Sequence, residues 1–105
     1  MTPRELEAKL KEIDRGWEVI TDTNEIFFSE IFEHSTTFEK RIDPRQKGKR
    51  KPILVRGPEY DVLIEWNYLA DGRGWMAFND VGDIISEGER RTTAMYDVYL
   101  WAEDV

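Results

Sequence analysis

The first apolar positions of the chain predict a helix over residues 3–15. They recur at intervals of four and three residues in a charged segment and form one narrow stripe, made up of Leu6, Leu10 and Ile13. Thr2 and Glu5 match a capping box, and Pro3 falls at the first helical position, where its missing N–H does no harm. Gly16 provides a stop signal. We therefore expect a surface helix with one buried face.

Alternation of apolar and polar positions predicts strands in the second half of the chain. Residues 61–69 alternate, with Leu63 on one face and four side chains on the other, namely Val62, Ile64, Trp66 and Tyr68. A glycine-rich turn at 70–74 and an apolar run at 75–78 then predict a hairpin. Further short strands are predicted at 17–21, 53–55, 84–86 and 90–93, the last two forming a second hairpin around Glu87-Gly88.

Two segments fit either a strand or a helix. In residues 25–34, the high β-propensity of Phe and Ile favours a strand. In residues 92–103, a strand would align Ala94, Tyr96, Val98, Leu100 and Ala102 on one face, whereas a helix would align Met95, Val98, Tyr99 and Ala102. Five apolar residues in strict alternation favour the strand, and a helix in each segment is the alternative.

Together these elements predict an α+β fold, with one N-terminal helix packed on a mostly antiparallel β-sheet, either a meander or a partly closed barrel. A length of 105 residues corresponds to a single domain over residues 1–105. A hydrophobic share of 40% is typical of a folded protein. Within the domain we expect a basic loop at 40–52, which repulsion between like charges would make flexible.

Composition excludes several classes of protein. The chain has no cysteine, which excludes disulfides, thiolate metal sites and thiol nucleophiles. Its first basic residue is not followed by an apolar run, so the N-terminus does not resemble a signal peptide. No apolar stretch is long enough to span a bilayer. We therefore expect a cytoplasmic protein with no membrane partner.

Charge is distributed unevenly. Residues 40–56 carry eight positive charges and one negative charge, whereas the other 88 residues carry seven positive and twenty-one negative charges. Such a cluster could bind a polyanion. The candidate binding residues are Arg45, Lys47, Lys49, Arg50 and Lys51. They would contact phosphates without reading bases, because no aromatic residue lies among them. The simpler alternative is a solvated loop that balances the acidic remainder.

Aromatic residues provide a second candidate surface. Most of the Trp and Tyr residues fall in the predicted sheet, and one helix can cover only one face of it. Tyr99 and Trp101, together with Met95, are then expected on the opposite face, partly exposed, where they would bind a protein partner or a second copy of the chain. The simpler alternative is an aromatic core.

Candidates for catalysis are sparse. His34 is the single histidine and adjoins Ser35, but neighbours on a strand point to opposite faces. Asp80 and Asp83 fall in a turn-forming segment and lack the spacing of a calcium loop. The sequence contains no phosphate-binding glycine loop, nucleophile motif or zinc motif, so we expect no catalytic residue, metal or cofactor.

The sequence favours a small non-enzymatic protein-interaction module. The alternative is a nucleic-acid-associated protein that uses residues 40–51 as an electrostatic arm. A small enzyme would have to rely on carboxylates or on His34 alone.

Overall fold

The structure, a computed structural model, describes residues 1–21, 52–69 and 72–105, without the side chains of residues 67–69, 72 and 73. Its elements in chain order are α1 (Pro3–Ile13), β1 (Glu18–Ile20), β2 (Ile53–Arg56), β3 (Asp61–Leu69), β4 (Gly72–Asn79), β5 (Ile84–Gly88) and α2 (Arg91–Asp104). The predictions for residues 25–34 and for the basic loop up to residue 51 lie outside the described residues.

The five strands form an antiparallel sheet in which each strand pairs with its neighbour in sequence. In the order β1-β2-β3-β4-β5, the strands β1 and β5 stand at opposite edges, so the described strands form an open meander and not a partly closed barrel. The predicted α+β class is therefore confirmed. Neither described helix, α1 or α2, is long and apolar enough to cross a membrane.

Helix α1 begins as its capping signals predict. The Thr2 hydroxyl accepts a hydrogen bond from the Glu5 backbone N–H at 3.1 Å, and Pro3 occupies the first turn. The helix ends before Gly16, because Asp14 adopts an extended backbone and its N–H closes the last turn on the Leu10 carbonyl at 3.0 Å. The Asp14 carboxylate then accepts the N–H of Gly16 at 2.7 Å. The Asp14 turn thus ends the helix two residues earlier than predicted.

The prediction of a C-terminal strand is wrong, because residues Arg91–Asp104 form helix α2. Its inner face is buried on the sheet and consists of Ala94, Met95, Val98 and Ala102. The small alanines let the helix approach the sheet closely, and the Ser86 hydroxyl donates to the Asp97 carboxylate at 2.6 Å. Burial of the sheet face outweighs the local alternation that favoured a strand.

The second predicted hairpin is also wrong. Residues 90–93 belong to the start of α2, and β5 pairs with β4 instead, with Ser86 opposite Ala77 and Gly88 opposite Trp75. Strand β4 begins at Gly72, so the Gly-x-Gly segment predicted as a turn lies within the strand. The hairpin of β3 and β4 is confirmed.

The sheet separates two apolar clusters, as the alternation in β3 predicts. The helix-side cluster is built from α1, α2 and strand residues such as Val62 and Ile64, with Trp66 packed against it. On the opposite face Leu54, Leu63 and Phe78 are also buried. Both faces of the sheet are therefore shielded from solvent.

Candidate protein-interaction surface

The outward side of helix α2 presents apolar and aromatic side chains to solvent. Tyr96 is 51% exposed and Leu100 is 42% exposed, and the two lie one helical turn apart. The Tyr99 ring lies beside Tyr96, with centroids 6.5 Å apart. Glu103 lies one turn beyond Tyr99. We call Tyr96, Tyr99, Leu100 and Glu103 the α2 outer face.

Contacts with α1 hold Tyr99 in place. The Lys9 ammonium lies 5.3 Å from the centroid of the Tyr99 ring, a cation–π contact between the two helices. A hydrogen bond to the Glu103 carboxylate, followed by partial desolvation and the negative charges of Glu103 and Glu12, raises the pKa of Tyr99 above its usual value. Tyr99 is therefore a neutral, half-buried ring fixed at the seam between the helices.

The structure corrects the predicted placement of Tyr99 and Trp101. Both lie on α2, on the helix side of the sheet, and not on the opposite sheet face. Trp101 packs edge-to-face against Trp17 and Tyr60, with ring centroids 6.2 and 5.7 Å apart. Trp101 therefore belongs to the edge of the core, whereas Tyr99 contributes to the α2 outer face.

The opposite face of the sheet is not an exposed aromatic surface. Leu54 and Leu63 are fully buried there and Phe78 is nearly so. Met95, expected with Tyr99 on that face, is buried between α2 and the sheet. Ile13, Val81 and Ile84 are exposed as well, but Tyr96 and Leu100 lie one turn apart on a single helix, which makes the α2 outer face the candidate docking surface.

Sequence reasoning missed Tyr96 and Leu100. The strand interpretation placed them in an alternating row with Ala94, Val98 and Ala102, which are buried. The helical alternative leaves both residues outside its buried stripe. Two large apolar residues four positions apart on the side of a helix away from the core are the pattern that could have indicated an exposed apolar surface.

Comparison with protein-family models, curated proteins and solved structures finds no match to this chain. Of the predicted site residues, Tyr99 and Trp101 are described. Arg45, Lys47, Lys49, Arg50 and Lys51 lie outside the described ranges, as do His34 and Ser35.

The acidic segment between β4 and β5 forms a turn, as predicted. The Asn79 side-chain oxygen accepts the backbone N–H groups of Val81 and Asp83, at 3.2 and 2.8 Å. The Asn79 amide donates to the Asp83 carboxylate at 3.3 Å, and Gly82 has φ +92°. In residues 1–21, 52–69 and 72–105, no group of three metal-ligating side chains comes together.

The carboxyl group of Asp61 has a raised pKa. Partial burial raises the pKa of Asp61 at the start of β3, the Gly57 N–H lowers it, the charge of Asp80 raises it, and Arg56 lowers it. The net direction is upward. The ionised form is therefore less favourable in the folded protein than in the unfolded chain.

Replacing Asp61 by Asn is expected to make the protein relatively more stable as the pH rises. Below the ordinary Asp pKa both states of the wild type bind the proton, so the raised pKa has no effect. As the pH rises through the raised pKa, ionisation destabilises the folded wild type but cannot affect the variant. Urea midpoints at about pH 3 and about pH 7 test this expectation. Glu59→Gln, at an exposed loop position, controls for the loss of one charge. A difference between Asp61→Asn and wild type that does not change with pH would contradict it.

Proposed function

We propose that this protein is a small non-enzymatic interaction module that binds another protein chain through the α2 outer face. The observation that carries the proposal is the exposure of Tyr96 and Leu100, side by side on a helix whose opposite side is already packed on the sheet. A helix that is apolar on both sides is normally buried on both sides.

The chemistry of the face supports the same conclusion. Tyrosine is enriched at protein interfaces, because one rigid ring offers a large apolar area and a polar tip. The Lys9 contact already restricts the Tyr99 ring, so less side-chain freedom remains to be lost on binding. The face lies on a helix packed against the sheet, which favours a pre-organised docking surface.

Site-specific photo-crosslinking in the cells that make the protein tests the proposal. A photoreactive phenylalanine analogue at position 100 is expected to give a discrete crosslinked species. The matched control is position 81, where Val81 is 65% exposed in the turn between β4 and β5. Crosslinking at position 100 that does not exceed crosslinking at position 81 would overturn the proposal.

A second candidate function rests on the charge distribution of the sequence. The basic residues of segment 40–51 could hold a nucleic-acid backbone through phosphate contacts. The described residues work against such binding, since they carry eight basic and fifteen acidic side chains. Binding would therefore depend on the basic segment alone.

Reversing four charges in that segment tests the second candidate. The change is Lys47→Glu, Lys49→Glu, Arg50→Glu and Lys51→Glu together. If the segment binds nucleic acid, the wild type is expected to bind a labelled oligonucleotide at about 50 mM salt and to lose at least about tenfold in affinity at about 200 mM. The variant would not bind. Fluorescence anisotropy measures both, and binding that survives the reversal would exclude this site.

A further inference from the structure

Helix α2 carries its charges at the ends where its own dipole disfavours them. Arg90 and Arg91 lie at the N-terminal end, while Glu103 and Asp104 lie in the last turn, and the first turn has no acid and the last turn no base. The partial charge of a helix is positive at its N-terminus and negative at its C-terminus. Each end of α2 would therefore be stabilised by the side chains found at the other end.

These end charges are not neutralised by other described side chains. Within residues 1–21, 52–69 and 72–105, none of the four forms an ion pair. Arg91 lies 5.8 Å over the ring of the buried Trp75, on the sheet side of the helix, so Arg90 is the exposed base at this end. The exposed apolar pair, Tyr96 and Leu100, lies midway between the basic and the acidic end. The surface is thus ordered along the helix as basic, apolar and acidic.

We infer that the partner of the α2 outer face is a second copy of this chain, with the two α2 helices packed antiparallel about a twofold axis. This inference rests on the proposed function and names its partner. In a twofold interface the same surface meets itself in reverse, so Tyr96 of each copy faces Leu100 of the other. When the order basic, apolar and acidic is reversed in the second copy, each basic end lies opposite an acidic end and the apolar parts meet in the middle.

The spacing along α2 brings opposite charges together. With the axis midway between Tyr96 and Leu100, Arg90 lies roughly 12 Å to one side and Asp104 roughly 9 Å to the other, at 1.5 Å per residue. Arg90 of one copy therefore comes within reach of Asp104 of its partner. The positive helix end of one copy also meets the acidic end of the other. A parallel pair would instead place Arg90 beside Arg90 and Asp104 beside Asp104.

Other occupants fit less well. A basic partner would suit Glu103 and Asp104 but would be repelled by Arg90 and Arg91, and an acidic partner would meet the reverse problem. A self-paired helix satisfies both ends at once. A contact made by one helix per copy is small, so we expect a reversible, concentration-dependent dimer.

Sedimentation velocity over a range of protein concentrations tests the dimer. The wild type is expected to pass from monomer to dimer as the concentration rises, and Leu100→Glu to raise the Kd at least about 100-fold, because it places a charge at the centre of the contact twice. Leu100 is already 42% exposed, so the variant is expected to fold, which circular dichroism verifies. Val81→Glu, at an exposed apolar position outside α2, is the matched control and should leave the Kd unchanged.

Charge variants test the antiparallel arrangement without weakening the helix. Asp104→Lys places a base in the last turn, which favours the helix itself, yet in the dimer it faces Arg90 of the partner. We expect it to raise the Kd about tenfold. Adding Arg90→Glu to the same chain restores opposite charges and is expected to return the Kd to near its wild-type value. Failure of this rescue would overturn the antiparallel arrangement.

The outcomes separate this inference from the proposed function. A wild type that stays monomeric at all concentrations, or a dimer unaffected by Leu100→Glu, overturns self-pairing through α2. If position 100 then crosslinks to a chain of another mass, the interaction module stands with a different partner. If position 100 crosslinks to nothing, both proposals fail.

Discussion

Replacing Gly57 by Ala is expected to lower the free energy of unfolding by about 3 kcal/mol. A Cβ atom at this position would lie 2.6 Å from the Tyr60 carbonyl oxygen and 2.7 Å from Trp17 Cη2, and would also contact Trp17 Cζ3. Trp17 is buried and packed edge-to-face against Trp101, so its indole has little room to move. Urea unfolding followed by circular dichroism measures the loss.

Gly88→Ala is the matched control. A Cβ at Gly88 would make an ordinary contact with Thr93 Cγ2 at 3.8 Å, so the same change there should alter stability by no more than about 1 kcal/mol. In a Trp17→Leu background, Gly57→Ala should be less damaging than in the wild type, because part of the clash is gone. Equal losses of stability in Gly57→Ala and Gly88→Ala would contradict the prediction, because they would show that the residues around Trp17 move to accommodate the added Cβ atom.

Replacing Leu63 by Ala is expected to lower the free energy of unfolding by about 3 kcal/mol, as deletion of a buried leucine leaves a cavity. Leu63 lies on the sheet face opposite α1 and α2, yet it is fully buried with Leu54 and Phe78. Urea unfolding of this variant therefore tests whether the second face is a true core.

Two reference variants calibrate that result. Leu10→Ala removes a fully buried leucine on the helix side and should be similarly destabilising, whereas Ile84→Ala removes a side chain that is 58% exposed and should change stability by less than about 1 kcal/mol. If Leu63→Ala resembled Ile84→Ala, the face opposite the helices would behave as solvent-accessible surface.

The elements that the sequence predicts correctly are those that local signals determine. Thr2, Pro3 and Glu5 act within one helical turn, so the start of α1 follows from the sequence alone. In β3, neighbours such as Leu63 and Ile64 must point to opposite faces, so the alternation predicts two apolar clusters. Both predictions depend only on the geometry within one helix or one strand.

Local signals of this kind could not predict helix α2. Val98 and Ala102 belong to the strand pattern and to the helix pattern alike, so periodicity could not choose between them. The choice depends on contacts distant in sequence: Ala94 and Met95 pack on the sheet, and Asp97 accepts from Ser86 in β5. The error carried over to the site, where Trp101 was expected on an open sheet face and Tyr96 and Leu100 in a buried row.

The sequential strand order has a kinetic consequence. The pairings of β2 with β3, β3 with β4 and β4 with β5 join strands close in the chain, so these hairpins can close with little loss of chain entropy. Strand β1 instead pairs with β2 across a long separation, with Val19 opposite Val55. Because distant pairings form late in proteins dominated by local contacts, the hairpins and α2 are expected to nucleate folding, and β1 with α1 to dock last.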